Sequence, residues 1–146
     1  MATVSTYLNF AGNTEEAFNF YKKAFRSEFT GPIQRMGSVP SAPDMPKLSE
    51  AEKNLVVHVA LPILGGHLLM GTDAVESMGQ KLTFGNNVSI NLMPDTRAES
   101  ERLFQELSAG GTVNMPLQDM FWGDYFGALT DKFGVLWMVN CSEPKK

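Results

Sequence analysis

The chain contains an internal repeat, and this repeat limits the fold more than any other feature of the sequence. Residues 5–10 read STYLNF and residues 87–92 read NVSINL, an offset of 82 residues. In both segments apolar residues alternate with small or polar ones, which is the period of a strand with one buried face. Each segment is followed by a pattern with helical periodicity. We therefore predict two modules that both begin with a strand and a helix.

The helices are predicted over residues 14–25 and 96–109, where apolar residues recur on one face. Asn13 and Asp95 are the predicted N-caps, because their side-chain oxygens can accept a hydrogen bond from an N–H group of the first turn. Glu16, three residues after Asn13, approximates a capping box. The pair Gly110-Gly111 is expected to end the second helix.

Three further strands are predicted after each helix. They cover residues 29–36, 55–61 and 67–72 in the first module, and 112–117, 125–130 and 135–140 in the second. The pattern is βαβββ twice, within a single domain of residues 1–146 that has modules at 3–76 and 86–141.

A proline-rich segment, residues 37–53, interrupts the first module and is expected to be irregular, with a helical turn over 49–52. A loop of this length is often functional or mobile, and a solvent-exposed loop without a function is an equally good interpretation.

The composition excludes several classes of partner. A net charge of −4 argues against a nucleic acid or an anionic membrane, which would favour a basic face. No apolar run approaches the roughly 18 residues of a membrane span, and the N-terminus lacks the pattern of a signal peptide. The single cysteine, Cys141, cannot form an internal disulfide. Together these features predict a cytoplasmic protein.

Four segments carry a resemblance to a known family. They are TYLNFAGNTEEAFNFYKKAF, SERLFQELSAGG, MPLQDMFWGDYFG and TDKFGVLWM. They resemble the PhnB-like branch, also labelled demethylubiquinone methyltransferase-like, of the vicinal oxygen chelate superfamily, which includes glyoxalase I, bleomycin-resistance proteins and extradiol dioxygenases. The resemblance implies an α+β fold in which the strands of each module form an open half-barrel and two modules pair around a cavity.

The superfamily's enzymes hold a divalent metal on His, Glu or Gln side chains of the first and last strands of each module. Carried onto this sequence, those positions fall at Ser5 (or Thr6, if the strand slips by one), Met70, Asn87 and Met138. None is a histidine or a carboxylate, and thioether sulfur suits soft ions rather than Mg, Mn, Fe or Zn. We therefore predict no metal site and no cofactor.

The strand alternation places Tyr7, Asn9, His58 and Asn91 on the face toward the implied cavity. The resemblance adds Met70 and Met138 through its metal positions, and Trp122 is expected at the rim. These seven are the predicted ligand-binding residues. His58 is also a candidate general base, although a hydrogen-bonded structural histidine would show the same pattern. Trp122 fits the pocket rim and the core equally well. Asp119 and Asp124 could polarise a substrate group, but a turn role is typical of Asp.

Two functions are consistent with these observations. The first is a metal-free protein that binds a small, partly aromatic or apolar organic molecule, as bleomycin-resistance proteins do. The alternative is an isomerase or lyase that uses His58 with a carboxylate, or a metal at other positions. A homodimer is expected in either case, because open sheets leave edge strands to be paired or covered and two-fold assemblies are the commonest. The resemblance points the same way, because members of the family commonly pair modules across two chains. The sequence leaves open whether each cavity forms within one chain or between two.

Overall fold

The computed structural model describes residues 1–40 and 47–146, and the chain divides into two compact units, Met1–Thr83 and Phe84–Lys146. Residues 41–46, within the predicted irregular segment, lie outside the described residues. The predicted helical turn in that segment is present as α2 (Glu50–Lys53), one residue later than expected. Ser49 caps it in a capping box with Glu52, because the two side chains satisfy each other's backbone N–H groups.

The first unit consists of a four-stranded sheet and α1. Its elements are β1 (Thr6–Phe10), α1 (Thr14–Phe25), β2 (Gln34–Arg35), α2, β3 (Val56–Pro62) and β4 (Leu68–Asp73). The strand order is β1-β4-β3-β2, with β1 parallel to β4 and the other neighbours antiparallel.

The second unit repeats this topology. Its elements are β5 (Ile90–Leu92), α3 (Arg97–Ser108), β6 (Thr112–Asp119), β7 (Tyr125–Thr130) and β8 (Leu136–Cys141). The strand order is β5-β8-β7-β6, again with one parallel pair. The α+β class and the βαβββ repeat are therefore confirmed, and in the described residues neither sheet closes into a barrel.

Two predicted strands were too long. The strand predicted over 29–36 is reduced to the two residues of β2, and Pro32 lies in the part that does not form a strand, since proline has no N–H to donate to a ladder. The strand predicted over 87–92 is reduced to β5. The parallel partner β8 begins only at Leu136, and Ile90 already pairs with Trp137. The earlier residues, including Asn87, therefore have little partner strand to pair with.

The helix caps also differ from the prediction. Asn13 is the N-cap of α1, but its side chain makes no capping hydrogen bond. The N-cap of α3 is Thr96 rather than Asp95, and its hydroxyl accepts from the N–H of Glu99 at 3.1 Å. The C-cap of α3 is Ala109, one residue before the predicted Gly110-Gly111 pair. Gly110 follows it with a φ of +75°, in the left-handed region that glycine adopts readily.

Each helix packs on one face of its sheet through a close contact with glycine. A Cβ at Gly71 of β4 would lie 2.4 Å from a ring carbon of Phe18 in α1, and one at Gly127 of β7 would lie 2.7 Å from Phe104 in α3. Burial alternates along β4, β7 and β8, so each sheet has a helix-covered face and an open face. Among the described helices, none is long and apolar enough to cross a membrane.

Candidate functional site

The open face of the first sheet carries the predicted residues Tyr7, Asn9, His58 and Met70. Tyr7 and Asn9 are exposed, while Phe10 in the same strand is buried. Tyr7 is aligned with Met70 on the neighbouring strand β4, and Met70 in turn is aligned with Ala60 of β3. The register of the strands therefore agrees with the prediction that these side chains lie on one face of the sheet.

Tyr7 and His58 form a pair on this face. The Tyr7 hydroxyl lies 3.2 Å from Nδ1 of His58, and the two ring centroids are 5.9 Å apart with an interplanar angle of 37°. Tyr7 is 48% exposed, and its partial burial raises the pKa of the phenol above the usual value. The pair combines a polar contact with accessible aromatic surface, which is a combination suited to small-molecule recognition.

The first two positions at which the superfamily would place metal ligands lie together in this unit. The Ser5 hydroxyl is 3.9 Å from the sulfur of Met70, whereas the Thr6 hydroxyl is 2.9 Å from Nε2 of His67. Ser5, and not Thr6, is therefore the residue beside Met70. A neutral hydroxyl and a thioether do not fit a divalent first-row ion, which prefers carboxylate, imidazole or thiolate donors.

The other two positions belong to the second unit. Met138 lies on the open face of its sheet, aligned with Asn91 of β5, and Asn87 is exposed ahead of that strand. In the part of the chain that the structure describes, no three His, Cys, Asp or Glu side chains are grouped so that they could hold a metal ion. The metal-free state itself stays a prediction.

The open face of the second sheet is aromatic at one end. Trp122 contacts Phe126 of β7, with ring centroids 6.0 Å apart and planes at 64°, and it is 48% exposed. Trp122 is therefore on the accessible side and not in the core. Phe126 is aligned with Asn140 of β8, and the Asn140 amide donates to the carboxylate of Asp124 at 2.9 Å.

Asp119, one of the two acids considered from the sequence, forms ion pairs with basic side chains. Its carboxylate pairs with Arg97 and more distantly with Lys145. The hydrogen bond from Arg97 lowers the pKa of Asp119. Arg97 also donates from its backbone N–H to Glu143, so this cluster fixes the C-terminal segment against the start of α3.

Sequence reasoning missed two buried carboxylates. Asp73 at the end of β4 accepts from the N–H groups of Gly12, Thr14 and Val56 and from the Thr14 hydroxyl. In the second unit, Asp131 accepts from two backbone N–H groups and from Nε1 of Trp137 at 2.8 Å. The donors to Asp73 lie up to 61 residues away in sequence, and no local pattern indicates them.

Two surface depressions of the first unit lie apart from the open face. One, of about 540 Å³, surrounds the Arg35–Glu15 ion pair, and the other, of about 510 Å³, follows the end of α1. Neither is lined by Tyr7, Asn9 or His58. The cavity predicted around those residues stays a prediction.

The family is identified by comparison with known proteins. Residues 2–140 match the family described as 3-demethylubiquinone-9 3-methyltransferase. The chain belongs to this family. It is also similar to the crystal structure of protein PA1353 from Pseudomonas aeruginosa, with 35% identity and a TM-score of 0.81 over 97% of this chain and 98% of that one.

Two further solved structures extend the likeness. The first is that of the putative 3-demethylubiquinone-9 3-methyltransferase, PhnB protein, from Bacillus cereus. It has 28% identity and a TM-score of 0.73, covering 96% of this chain and 99% of that one. A glyoxalase/bleomycin resistance protein/dioxygenase family enzyme from Burkholderia phytofirmans shares the fold, with 19% identity and a TM-score of 0.62 over 94% and 98% of the two chains. The chain is therefore a PhnB-like protein with the glyoxalase/bleomycin resistance fold, as the resemblance implied.

Proposed function

We propose that this PhnB-like protein binds a small, partly aromatic or apolar organic molecule and does so without a divalent metal. The observation that supports the proposal best is the Tyr7–His58 pair, which lies accessible on an open sheet face. The same face carries Met70, whose polarisable thioether suits an adaptable apolar contact.

The chemistry of the pair follows from the tautomers of His58. When the imidazole is neutral with its proton on Nε2, the Tyr7 hydroxyl donates to Nδ1. The Nε2–H group is then a donor for a ligand, and the Tyr7 oxygen is still an acceptor. The pair therefore offers one donor and one acceptor beside apolar surface, which is enough to orient a small molecule bearing one or two polar atoms.

The metal-free part of the proposal rests on the donors at the superfamily's metal positions. Ser5 and Met70 contact each other, and neither supplies the anionic or imidazole donor that a divalent ion needs. Methyl transfer, the activity in the family's name, is not part of the proposal. The turn from β1 to α1 is Ala11-Gly12-Asn13, and it lacks the glycine-rich loop typical of nucleotide-type cofactor sites.

A second candidate function is an isomerase or lyase in which His58 moves a proton. The Tyr7 hydroxyl at 3.2 Å favours it, because a phenol in that position could relay the proton. Among the described residues, however, the hydrogen-bond partner of His58 is this phenol and not a carboxylate. Binding without turnover is therefore the simpler function for the pair.

Extraction of the purified protein with organic solvent, followed by mass spectrometry, tests the proposal. We expect one organic compound in near-stoichiometric amount that rebinds to the extracted protein in calorimetry and is recovered unchanged. Recovery of a chemically altered compound after incubation would instead support the isomerase or lyase. Failure of every extracted compound to rebind would contradict the proposal.

We further propose that the protein is a cytoplasmic homodimer. The edge strand β6 is eight residues long and largely exposed, and such edges are usually paired or covered. Sedimentation at micromolar concentration is expected to give a species of twice the 16.1 kDa chain mass. A single species at the chain mass, with no dependence on concentration, would contradict the dimer.

A further inference from the structure

The turn between β6 and β7 presents aromatic rings to solvent. It is closed by hydrogen bonds from the N–H of Met120 to the carbonyl of Asp124 at 2.9 Å and from the N–H of Gly123 to the carbonyl of Met120 at 3.0 Å. Gly123 has a φ of +100°, which favours glycine here. Phe121, in this turn, is 96% exposed, and its ring contacts Trp122 edge to face with centroids 5.0 Å apart.

A carboxylate without a cationic partner lies beside these rings. Asp124 accepts from the Asn140 amide, and Asn140 is aligned with Phe126, which contacts Trp122. Among the described residues, no Lys, Arg or His forms an ion pair with Asp124. Asp119 at the other end of the turn differs, because Arg97 and Lys145 already neutralise it.

We propose that Trp122, Phe126, Asp124 and Asn140 form a site on the second unit for an organic cation that carries an aromatic ring. Aromatic faces attract cations through the ring quadrupole, and the Asp124 carboxylate adds an opposite charge at the same end of the sheet. The Asn140 amide holds that carboxylate in place. The net charge of the chain, −4, acts in the same direction.

This inference goes beyond the proposed function, whose residues belong to the first unit. The ligand would carry a quaternary or protonated amine next to a ring. A neutral aromatic molecule would use Trp122 and Phe126 but gain nothing from Asp124, and an anionic one would be repelled by it. The charge of the ligand is therefore the property that separates the alternatives.

Benzyltrimethylammonium and phenylacetate are matched probes of opposite charge. Binding is measured by the change in tryptophan fluorescence. Trp122 is in the proposed site and exposed, whereas Trp137 is fully buried and not accessible to a probe, so the change reports on Trp122. We expect the cation to bind roughly fivefold more tightly than the anion, as a cation–π contact at an accessible site together with one carboxylate would give. Trp122→Leu is expected to remove the fluorescence response to both probes.

The Asp124→Asn variant keeps an acceptor for the Asn140 amide and removes only the charge. Asp95→Asn is the matched control, since Asp95 is an exposed acid of the same unit outside the patch. We expect Asp124→Asn to abolish the preference for the cation and Asp95→Asn to leave it unchanged.

The inference is overturned if Asp124→Asn and Asp95→Asn change the preference for the cation equally. It is also overturned if phenylacetate binds to the wild type as tightly as benzyltrimethylammonium. The inference is also overturned if neither probe binds. The proposed function is decided separately, by whether an extracted compound rebinds and whether His58→Ala weakens that binding.

Discussion

The Tyr7 hydroxyl lies 3.2 Å from Nδ1 of His58 although the two residues belong to strands that are not neighbours. Strand β4 lies between β1 and β3, so the two side chains meet above it on the open face. Strand alternation predicted the facing of both residues, and the pairing between them is what the structure adds. This contact joins β1 to β3 across the open face of the first unit.

Loss of either partner is expected to weaken ligand binding. Tyr7→Phe removes the hydroxyl and leaves the ring, and His58→Ala removes the whole imidazole. Each is expected to raise the dissociation constant of the extracted ligand about fivefold, corresponding to about 1 kcal/mol for a lost hydrogen-bonding group. Isothermal titration calorimetry gives the dissociation constants.

His67→Ala is the control for this pair, because His67 bonds to Thr6 and not to the open face. An equal loss of affinity in His67→Ala would show that the effect is general destabilisation and would contradict the role of His58.

Asp73 is expected to be essential for the stability of the first unit. It is 3% exposed and joins the β1–α1 turn to the start of β3 through four donors. Asp73→Asn replaces one acceptor oxygen with an NH₂ group, which leaves a buried N–H without a partner. We expect the free energy of unfolding to fall by about 2 kcal/mol, measured by urea denaturation.

The exposed Asp95 provides the comparison for Asp73. Asp95→Asn removes a charge of the same kind at the surface and should change the free energy of unfolding by less than about 0.5 kcal/mol. Similar losses in the two variants would show that Asp73 has no special role.

The sequence predicted the elements whose residues carry their own signal. The bounds of α1 and β7 agree with the prediction because apolar periodicity and turn residues are local signals. The predicted capping hydrogen bond of Asn13 is absent, and the N–H of Thr14 donates instead to Asp73 at the end of β4, 59 residues away. The reduced strand β5 was likewise missed, since its length depends on where its partner β8 begins. For the site, alternation predicts the face of a strand but not which side chains make contact across it.

The contact of Gly71 with Phe18 gives a second test of packing. A methyl group at position 71 would lie 2.4 Å from the Phe18 ring, so α1 or the ring must shift. We expect Gly71→Ala to lower the free energy of unfolding by roughly 1–3 kcal/mol, as overpacking of a core does. Gly31→Ala is the control, because nothing lies within 4 Å of a Cβ there. Equal stability of the two variants would contradict the close contact.

The Glu15–Arg35 ion pair is expected to give a small acid-dependent contribution to stability. The hydrogen bond from Arg35 lowers the pKa of Glu15 below its ordinary value of 4.5. The stabilisation is therefore present above that value and is lost as the pH falls below it. Both side chains are partly exposed, 36% for Arg35 and 46% for Glu15, which limits the contribution to less than about 1 kcal/mol.

Glu15→Gln is expected to remove this part of the acid dependence. Denaturation curves at pH 7 and pH 3.5 should therefore differ less for Glu15→Gln than for the wild type, while Glu16→Gln, an exposed neighbour in the same turn, should behave as the wild type. A steeper acid dependence in Glu15→Gln would contradict the direction of the pKa shift.

Native mass spectrometry of the purified protein tests the central proposal, metal-free binding of an organic molecule, most directly. The proposal predicts a mass excess from an organic compound that is lost in denaturing solvent, with no stoichiometric divalent ion in either spectrum. About one Ni, Zn, Mn or Fe per chain, retained after dialysis and without an organic compound, would contradict it.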